Sequence, residues 1–313
     1  MALPRRELGG TGLRVTPVCY GCAPLGSMPE TFGYGVSEER ALATLHEIFR
    51  GPINFLDTAA SYGDGESERR IGRALRELGG LPGGFVLSTK ADRDLPTGDF
   101  SGEQMRRSLQ RSLKLLGLDK LQLVHLHDPE HTTFEEAMAP GGPVEVLMGL
   151  KDEGLIEHLG VAGGPIEMMV RYLKTGCFEV AITHNRYTLL DRSAEPLLEA
   201  AARLGVAVLN AAPYGGGILA RGPEEYPRYA YQDASREQIE RARRIATLCE
   251  GYGVPLAAAA LQFSLRESRI ASTIVGVSDP EHVKATVELA STPIPDDLWQ
   301  KLEEDTDLGT GVE

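Results

Sequence analysis

Short apolar runs alternate with helical patterns eight times along this chain, and that alternation leaves few folds open. The runs occupy residues 18–21, 54–57, 85–90, 121–127, 158–161, 180–183, 206–209 and 273–276. They are only four to seven residues long and nearly continuous in apolar character, as strands buried on both faces are. Helical spacing follows each one, over about 37–50, 66–78, 101–116, 144–153, 165–174, 193–204, 255–265 and 280–290. Local punctuation agrees. Ser37 can cap its helix while Glu38 and Glu39 complement the dipole, and Gly117 stops a helix with Leu109, Leu113 and Leu116 on one face. Eight strand–helix units predict parallel strands closed into a (β/α)8 TIM barrel, one domain over residues 1–313. An extra helix at 235–252 falls before the eighth strand. Residues 6–15, turning at Gly9-Gly10-Thr11-Gly12, read as an N-terminal hairpin at the barrel's bottom.

A dinucleotide-binding fold of the Rossmann type is excluded, because no G-x-G-x-x-G joins a strand to a helix. Hydrophobic residues at 42% and charged residues at 25% describe an ordinary globular chain with a large core. A net charge of −13 argues against nucleic acid or an anionic membrane as partner, since both need a basic face. No run approaches the roughly 18 apolar residues of a membrane span, and the N-terminus lacks the apolar stretch of a signal peptide. A cytoplasmic protein is expected. Four cysteines are too few for a disulfide scaffold. Cys19 and Cys22 lie where a strand runs into a loop, not at a helix start, so they read as small buried apolar residues. No ligand cluster suggests a metal.

Four polar residues stand at or just beyond the ends of consecutive strands: Asp57, Tyr62, Lys90 and His127. Parallel strands in a barrel deliver their downstream ends to one face, where the chemistry of such folds is done. Singly, each has a plain structural explanation, as a turn cap, a loop tyrosine, a solvated lysine or a core histidine. Together they place an acid, a phenol, an amine and an imidazole on one rim. A phenol exchanges protons poorly near neutrality. An ammonium beside it is expected to lower its pKa, and a carboxylate can hold that ammonium charged. His125 precedes His127 by two residues, so both point inward, and it is expected one layer deeper in the core.

The segment Phe55-Leu56-Asp57-Thr58-Ala59-Ala60-Ser61-Tyr62-Gly63, followed by Gly65-Glu66-Ser67-Glu68, resembles the first signature of the aldo-keto reductases. Ser88-Thr89-Lys90 and the stretch from Leu118-Asp119 to His127-Asp128-Pro129 are similar to that family's lysine and histidine segments. A narrower likeness, in Asn185–Asp191 and Tyr214–Ala220, is to its D-threo-aldose (L-fucose) and L-galactose dehydrogenase branch. The resemblance implies a nicotinamide cofactor and no metal. It also implies that Tyr62 acts as general acid in carbonyl reduction and general base in alcohol oxidation, with His127 orienting the substrate oxygen.

Cofactor contacts implied by position depart from the family's usual residues. Ala162 and Gly163 stand where a Ser-Asn pair holds the carboxamide, and His184 replaces a glutamine. The stacking aromatic position is Ala211, so Tyr214 is the expected substitute. Backbone N–H groups of Tyr214, Gly215, Gly216 and Gly217 suit a pyrophosphate. Beyond the last strand, Gly276, Val277, Ser278 and His282 are expected near the nucleotide, with Asp57 contributing at the nicotinamide end. Ser278 replaces an arginine common in NADP users, and Asp279 would repel a 2′-phosphate, so NAD or dual use is expected. Phe32, Tyr34, residues 131–143 and 221–231 are expected to rim the substrate pocket. Tyr226, Tyr229 and Tyr231 there either stack on a sugar face or cover the barrel mouth. The leading reading is an NAD(P)-dependent aldose dehydrogenase acting on a small carbonyl or sugar. A broad NADPH-dependent aldehyde reductase, and a cofactor-sensing regulatory subunit on the same fold, are the alternatives.

Overall fold

The computed structural model describes residues 3–307. Two short strands, β1 (Arg6–Glu7) and β2 (Arg14–Val15), pair antiparallel. Then come β3 (Val18–Gly21), β4 (Phe55–Asp57), β5 (Val86–Ala91), β6 (Leu121–His127), β7 (Ile156–Ala162), β8 (Val180–His184) and β9 (Ala207–Ala211). A small antiparallel pair, β10 (Arg228–Tyr229) with β11 (Gln232–Asp233), precedes the last strand, β12 (Ile270–Gly276). Strands β3 to β9 and β12 are parallel and close into an eight-stranded barrel, with β12 between β9 and β3. Helices lie between successive barrel strands, as the periodicity predicts.

Two cores hold this architecture. The inner one fills the barrel with Cys19, Phe55, Val86, Leu123, Val180, Leu209 and Ile274, and the hairpin residues Leu8 and Val15 belong to it. Leu8 and Val15 are fully buried, so the hairpin stoppers the lower end. The outer core lies between strands and helices and takes their alternate residues, among them Tyr20, Leu56, Leu87, Val124 and Leu126. Cys19 and Cys22 are both buried and unpaired, as expected.

Several boundaries differ from the sequence reading. Asn54 is no strand residue but a peg: its amide nitrogen donates to the Arg14 and Gly84 carbonyls, and its oxygen accepts from Thr16 N at 2.9 Å. Strands β7, β9 and β12 run further than expected because ladder bonds extend past the apolar stretches. The extra helix is present as Arg236–Gly251, opened by a Ser235/Gln238 capping box. A last helix, Asp296–Asp307, which packs against it, has no counterpart in the sequence reading. No helix among the described residues is long and apolar enough to cross a membrane.

Alternation along β5 sorts its side chains. Ser88 and Lys90 face inward, while Thr89 faces the helix Glu66–Leu78 and donates to Glu68 Oε1 at 2.6 Å. Glu68 is fully buried, and burial pushes its carboxyl up to about 7, against the hydrogen bond from Thr89. A raised carboxyl pKa in the folded state stabilises below the unfolded value and loses that stability as pH rises through 7. Glu68→Gln is therefore expected to match wild-type stability at pH 4 and exceed it by about 3 kcal/mol at pH 8.5, as urea midpoints would show.

Candidate active site

A cavity of about 400 Å3 opens at the downstream strand ends and is lined by Asp57, Tyr62, Lys90 and His127. The four expected residues converge. Asp57 ends β4, Lys90 lies near the end of β5, and His127 ends β6. Tyr62 comes from the loop after β4, which is held by Ala60 N donating to the Lys90 carbonyl. Lys90 Nζ donates to Asp57 Oδ2 at 2.5 Å and to the Thr58 carbonyl at 2.7 Å, and lies 3.1 Å from Tyr62 Oη. Ser88 Oγ donates to the other Asp57 oxygen at 2.7 Å. The Tyr62 and His127 rings meet edge to face with centroids 5.9 Å apart. The lysine and aspartate side chains are only 3% and 4% exposed, so their pairing is shielded from solvent screening.

The electrostatics depart from the expectation in one respect. Burial works against the Lys90 ammonium, but Asp57 and the Tyr62 oxygen outweigh it and hold the amine charged above the ordinary lysine range. Tyr62, expected below its usual value, stands above it. Burial raises the phenol more than Lys90 lowers it, and the Asp57 carboxylate adds to the rise. The phenol is thus a protonated donor before anything enters the cavity, with its countercharge already in place.

One neighbour of the set has no place in the sequence reading. Asp92 Oδ1 lies 2.6 Å from His127 Nδ1, and its Oδ2 accepts from Ser61 N at 2.8 Å. Its only sequence signal is the two-residue offset from Lys90, which puts both on the same side of an extended chain. His125 is a core residue, as expected. It is fully buried, and burial drives its imidazole down to about 3, so it stays neutral. Gly160 makes room for it: a Cβ there would lie 2.3 Å from the His125 ring.

The residues expected around a nicotinamide cofactor divide in two. Asp57, Ala162, His184 and Gly276 line the cavity, and burial lowers the His184 imidazole. Gly21, Ala211, Ala212 and Ile274 complete a wall of small or apolar groups beside the four polar ones. That space suits a flat ring, so the site fits the nicotinamide end of the cofactor. Gly163, Tyr214, Gly215, Gly216, Gly217, Val277, Ser278 and His282 lie outside the cavity wall. The Tyr214 hydroxyl is buried without a partner and its side chain packs against the outer core, so it offers no stacking face here. Tyr229 rests on Gly215 and Tyr226 on Gly217, where a Cβ would come within 2.3 and 2.7 Å of the rings. Those glycines are required by packing in this conformation. Tyr229 is a buried clamp, with its hydroxyl donating to the Asn185 carbonyl at 2.6 Å, whereas Tyr231 reaches the cavity and meets Phe32 edge to face.

Beyond β12, Asp279 caps the helix Pro280–Ser291 by accepting from His282 N. It also pairs with Arg40 at 2.9 Å. Arg40 is a cation that sequence order hides, 239 positions away. Lys284, one turn further on, approaches Glu47 at 3.7 Å.

Removing one member of the buried pair strands the other. Lys90→Met is expected to destabilise the fold by about 3–5 kcal/mol, and the double variant Asp57→Asn/Lys90→Met to recover much of that loss. Urea unfolding of the three proteins measures it; an additive double variant would show that the two charges are not coupled.

The match to known proteins is consistent with this geometry. Residues 17–306 match the model of the aldo/keto reductase family. The chain is 33% identical to an L-galactose dehydrogenase of Arabidopsis thaliana, over 95% of this chain and 92% of that one. It is 31% identical to a D-threo-aldose 1-dehydrogenase of a Pseudomonas species, over 94% of each. A pyridoxal 4-dehydrogenase of Microbacterium luteolum is 32% identical, over 96% of this chain and 97% of that one. With the barrel closed, the polar residues gathered at its mouth and the match running almost end to end, this chain belongs to the aldo/keto reductase family and is an NAD(P)-dependent oxidoreductase.

Proposed function

We propose that this enzyme oxidises an aldose at C1, passing hydride to a nicotinamide cofactor and yielding the sugar lactone. The observation that carries the reading is the Asp57–Lys90–Tyr62 chain of contacts beside His127 in one cavity. Two of the named relatives act on aldoses, and aldoses close to cyclic hemiacetals, as does any aldehyde with a suitably placed hydroxyl, pyridoxal included. The substrate class is then a ring carbon bearing both a hydroxyl and an ether oxygen.

In this reading Tyr62 first releases its own proton to solvent through the cavity mouth, Lys90 stabilises the phenolate so formed, and the Tyr62 oxygen then takes the hydroxyl proton as the carbon gives up hydride. In the reverse direction Tyr62 returns the proton. Asp57 and Ser88 hold Lys90 in line, and His127 directs an N–H at the substrate oxygen. A bound nicotinamide supplies the hydride acceptor; Ala162, Ala211, Gly276 and His184 would bound its ring. The rim suits a sugar. Asp128, Arg93 and Thr31 offer partners to hydroxyls, while Phe32 and Tyr231 present apolar faces to C–H groups. The apolar share of that rim, Met28 and Leu95 included, also supports the second reading, a broad aldehyde reductase. For the cofactor we infer NAD or dual use: Ser278 carries no charge, and the cation beside Asp279 is already engaged by it.

Tyr62→Phe is expected to lower turnover by about a thousandfold or more while cofactor affinity, read by protein fluorescence, changes less than about threefold. Near-normal turnover would remove Tyr62 from the mechanism. A panel of L-galactose, L-fucose, pyridoxal and nitrobenzaldehyde, each run with both cofactors at the reduced-nicotinamide absorbance, decides the substrate. Oxidation of the hemiacetals with NAD is expected; fast reduction of nitrobenzaldehyde with NADPH alone would overturn the aldose reading.

A further inference from the structure

We propose that Asp92 is a positioning residue for His127: its carboxylate accepts a hydrogen bond from Nδ1–H and so favours the doubly protonated ring, which presents its second N–H, on Nε2, to the cavity. This rests on the oxidoreductase reading of the site but concerns a residue outside the four which that reading uses.

Asp92 is 4% exposed. Its two oxygens are each committed, Oδ1 to His127 Nδ1 at 2.6 Å and Oδ2 to Ser61 N at 2.8 Å. A carboxylate so far from water needs a cation or several donors. One backbone N–H is too little, and the group in contact that can become a cation is the imidazole. The other charged or titratable groups facing that ring are Asp128, with an oxygen 3.5 Å from Nε2, Lys90, Tyr62 and His184, and Arg93 lines the same cavity. Burial opposes the charged ring, but Asp92 and then Asp128 outweigh it and raise the imidazole above its ordinary value.

Hydrogen-bond arithmetic makes the consequence specific. A neutral imidazole owns one N–H. If Nδ1 donates it to Asp92, Nε2 is a bare acceptor and repels a carbonyl or alkoxide oxygen. Only the imidazolium satisfies Asp92 and still donates into the cavity. In carbonyl reduction the hydride goes to the carbon and the Tyr62 proton to the oxygen, while the Nε2 proton stays on His127. Asp92 touches no reacting atom. Through Ser61 N it also fixes the backbone one residue before Tyr62, so a single carboxylate sets the spacing between the proton donor and the ring that holds the oxygen.

Histidine labelled with 15N in the full-length protein tests this without turnover. At pH 7 both ring nitrogens of His127 are expected to be protonated in the wild type. In Asp92→Asn the midpoint of that titration should fall by about one pH unit or more, since a paired carboxylate is lost. For carbonyl reduction, the loss of kcat/KM at high pH should follow the same midpoint and move to lower pH by the same amount in Asp92→Asn, with Asp92→Glu restoring it. A His127 with bare Nε2 at pH 7 in the wild type overturns the proposal, as does an unmoved midpoint in Asp92→Asn. The wild-type spectrum decides alone if the variant does not fold. Doubly protonated His127 in a protein that oxidises no aldose and reduces no aldehyde of the panel would sink the proposed function and leave the Asp92 assignment standing.

Discussion

A charged amine sealed in a barrel is tolerable only if a carboxylate meets it, and Lys90 meets Asp57 at 2.5 Å. Much of the rim is organised by that pairing. Both residues sit near the ends of adjacent parallel strands, so the barrel's register, which aligns Asp57 with Ser88, brings a hydroxyl to the carboxylate as well. The lysine's remaining donors reach the Thr58 carbonyl and the phenol of Tyr62. The loop carrying Tyr62 is thus tied to the pair by side chain and by main chain. Low dielectric makes each of these contacts strong and makes loss of any partner costly. An unusual phenol is kept protonated by burial and is given, in advance, the cation that its conjugate base would need.

The barrel was legible from periodicity because its inner strands have no solvent face: short runs rich in apolar residues, each followed by a helical stripe and repeated eight times, admit little else. The inward set was equally plain, since side chains alternate along β5 and β6 and the strand ends are consecutive. What the chain order hid were contacts made across it. Asn54 reads as the first residue of a strand, yet its amide bridges the hairpin to the barrel wall. Asp92 looks like a loop acid, and only the approach of β5 to β6 shows its carboxylate against His127. Arg40 and Asp279 belong to the first and last helical units, which become neighbours only when β12 pairs with β3.

The glycine loop after β9 shows what residue type alone leaves open. Three consecutive glycines suggest backbone laid bare for an anion, and all three have positive φ. In this structure their bareness accommodates aromatic rings: Tyr229 on Gly215 and Tyr226 on Gly217. Glycine serves close approach by any flat or bulky group, and the sequence does not specify which. The tyrosine segment likewise divides by burial, with Tyr229 locked beneath and Tyr231 turned to the cavity.

The N-terminal hairpin has a kinetic meaning beyond its packing. Leu8 and Val15 close the floor of the barrel, so among the described residues the cavity that holds Tyr62 and His127 has its doorway at the opposite end. Two ligands sharing one doorway cannot come and go independently: whichever settles deeper must arrive first and depart last.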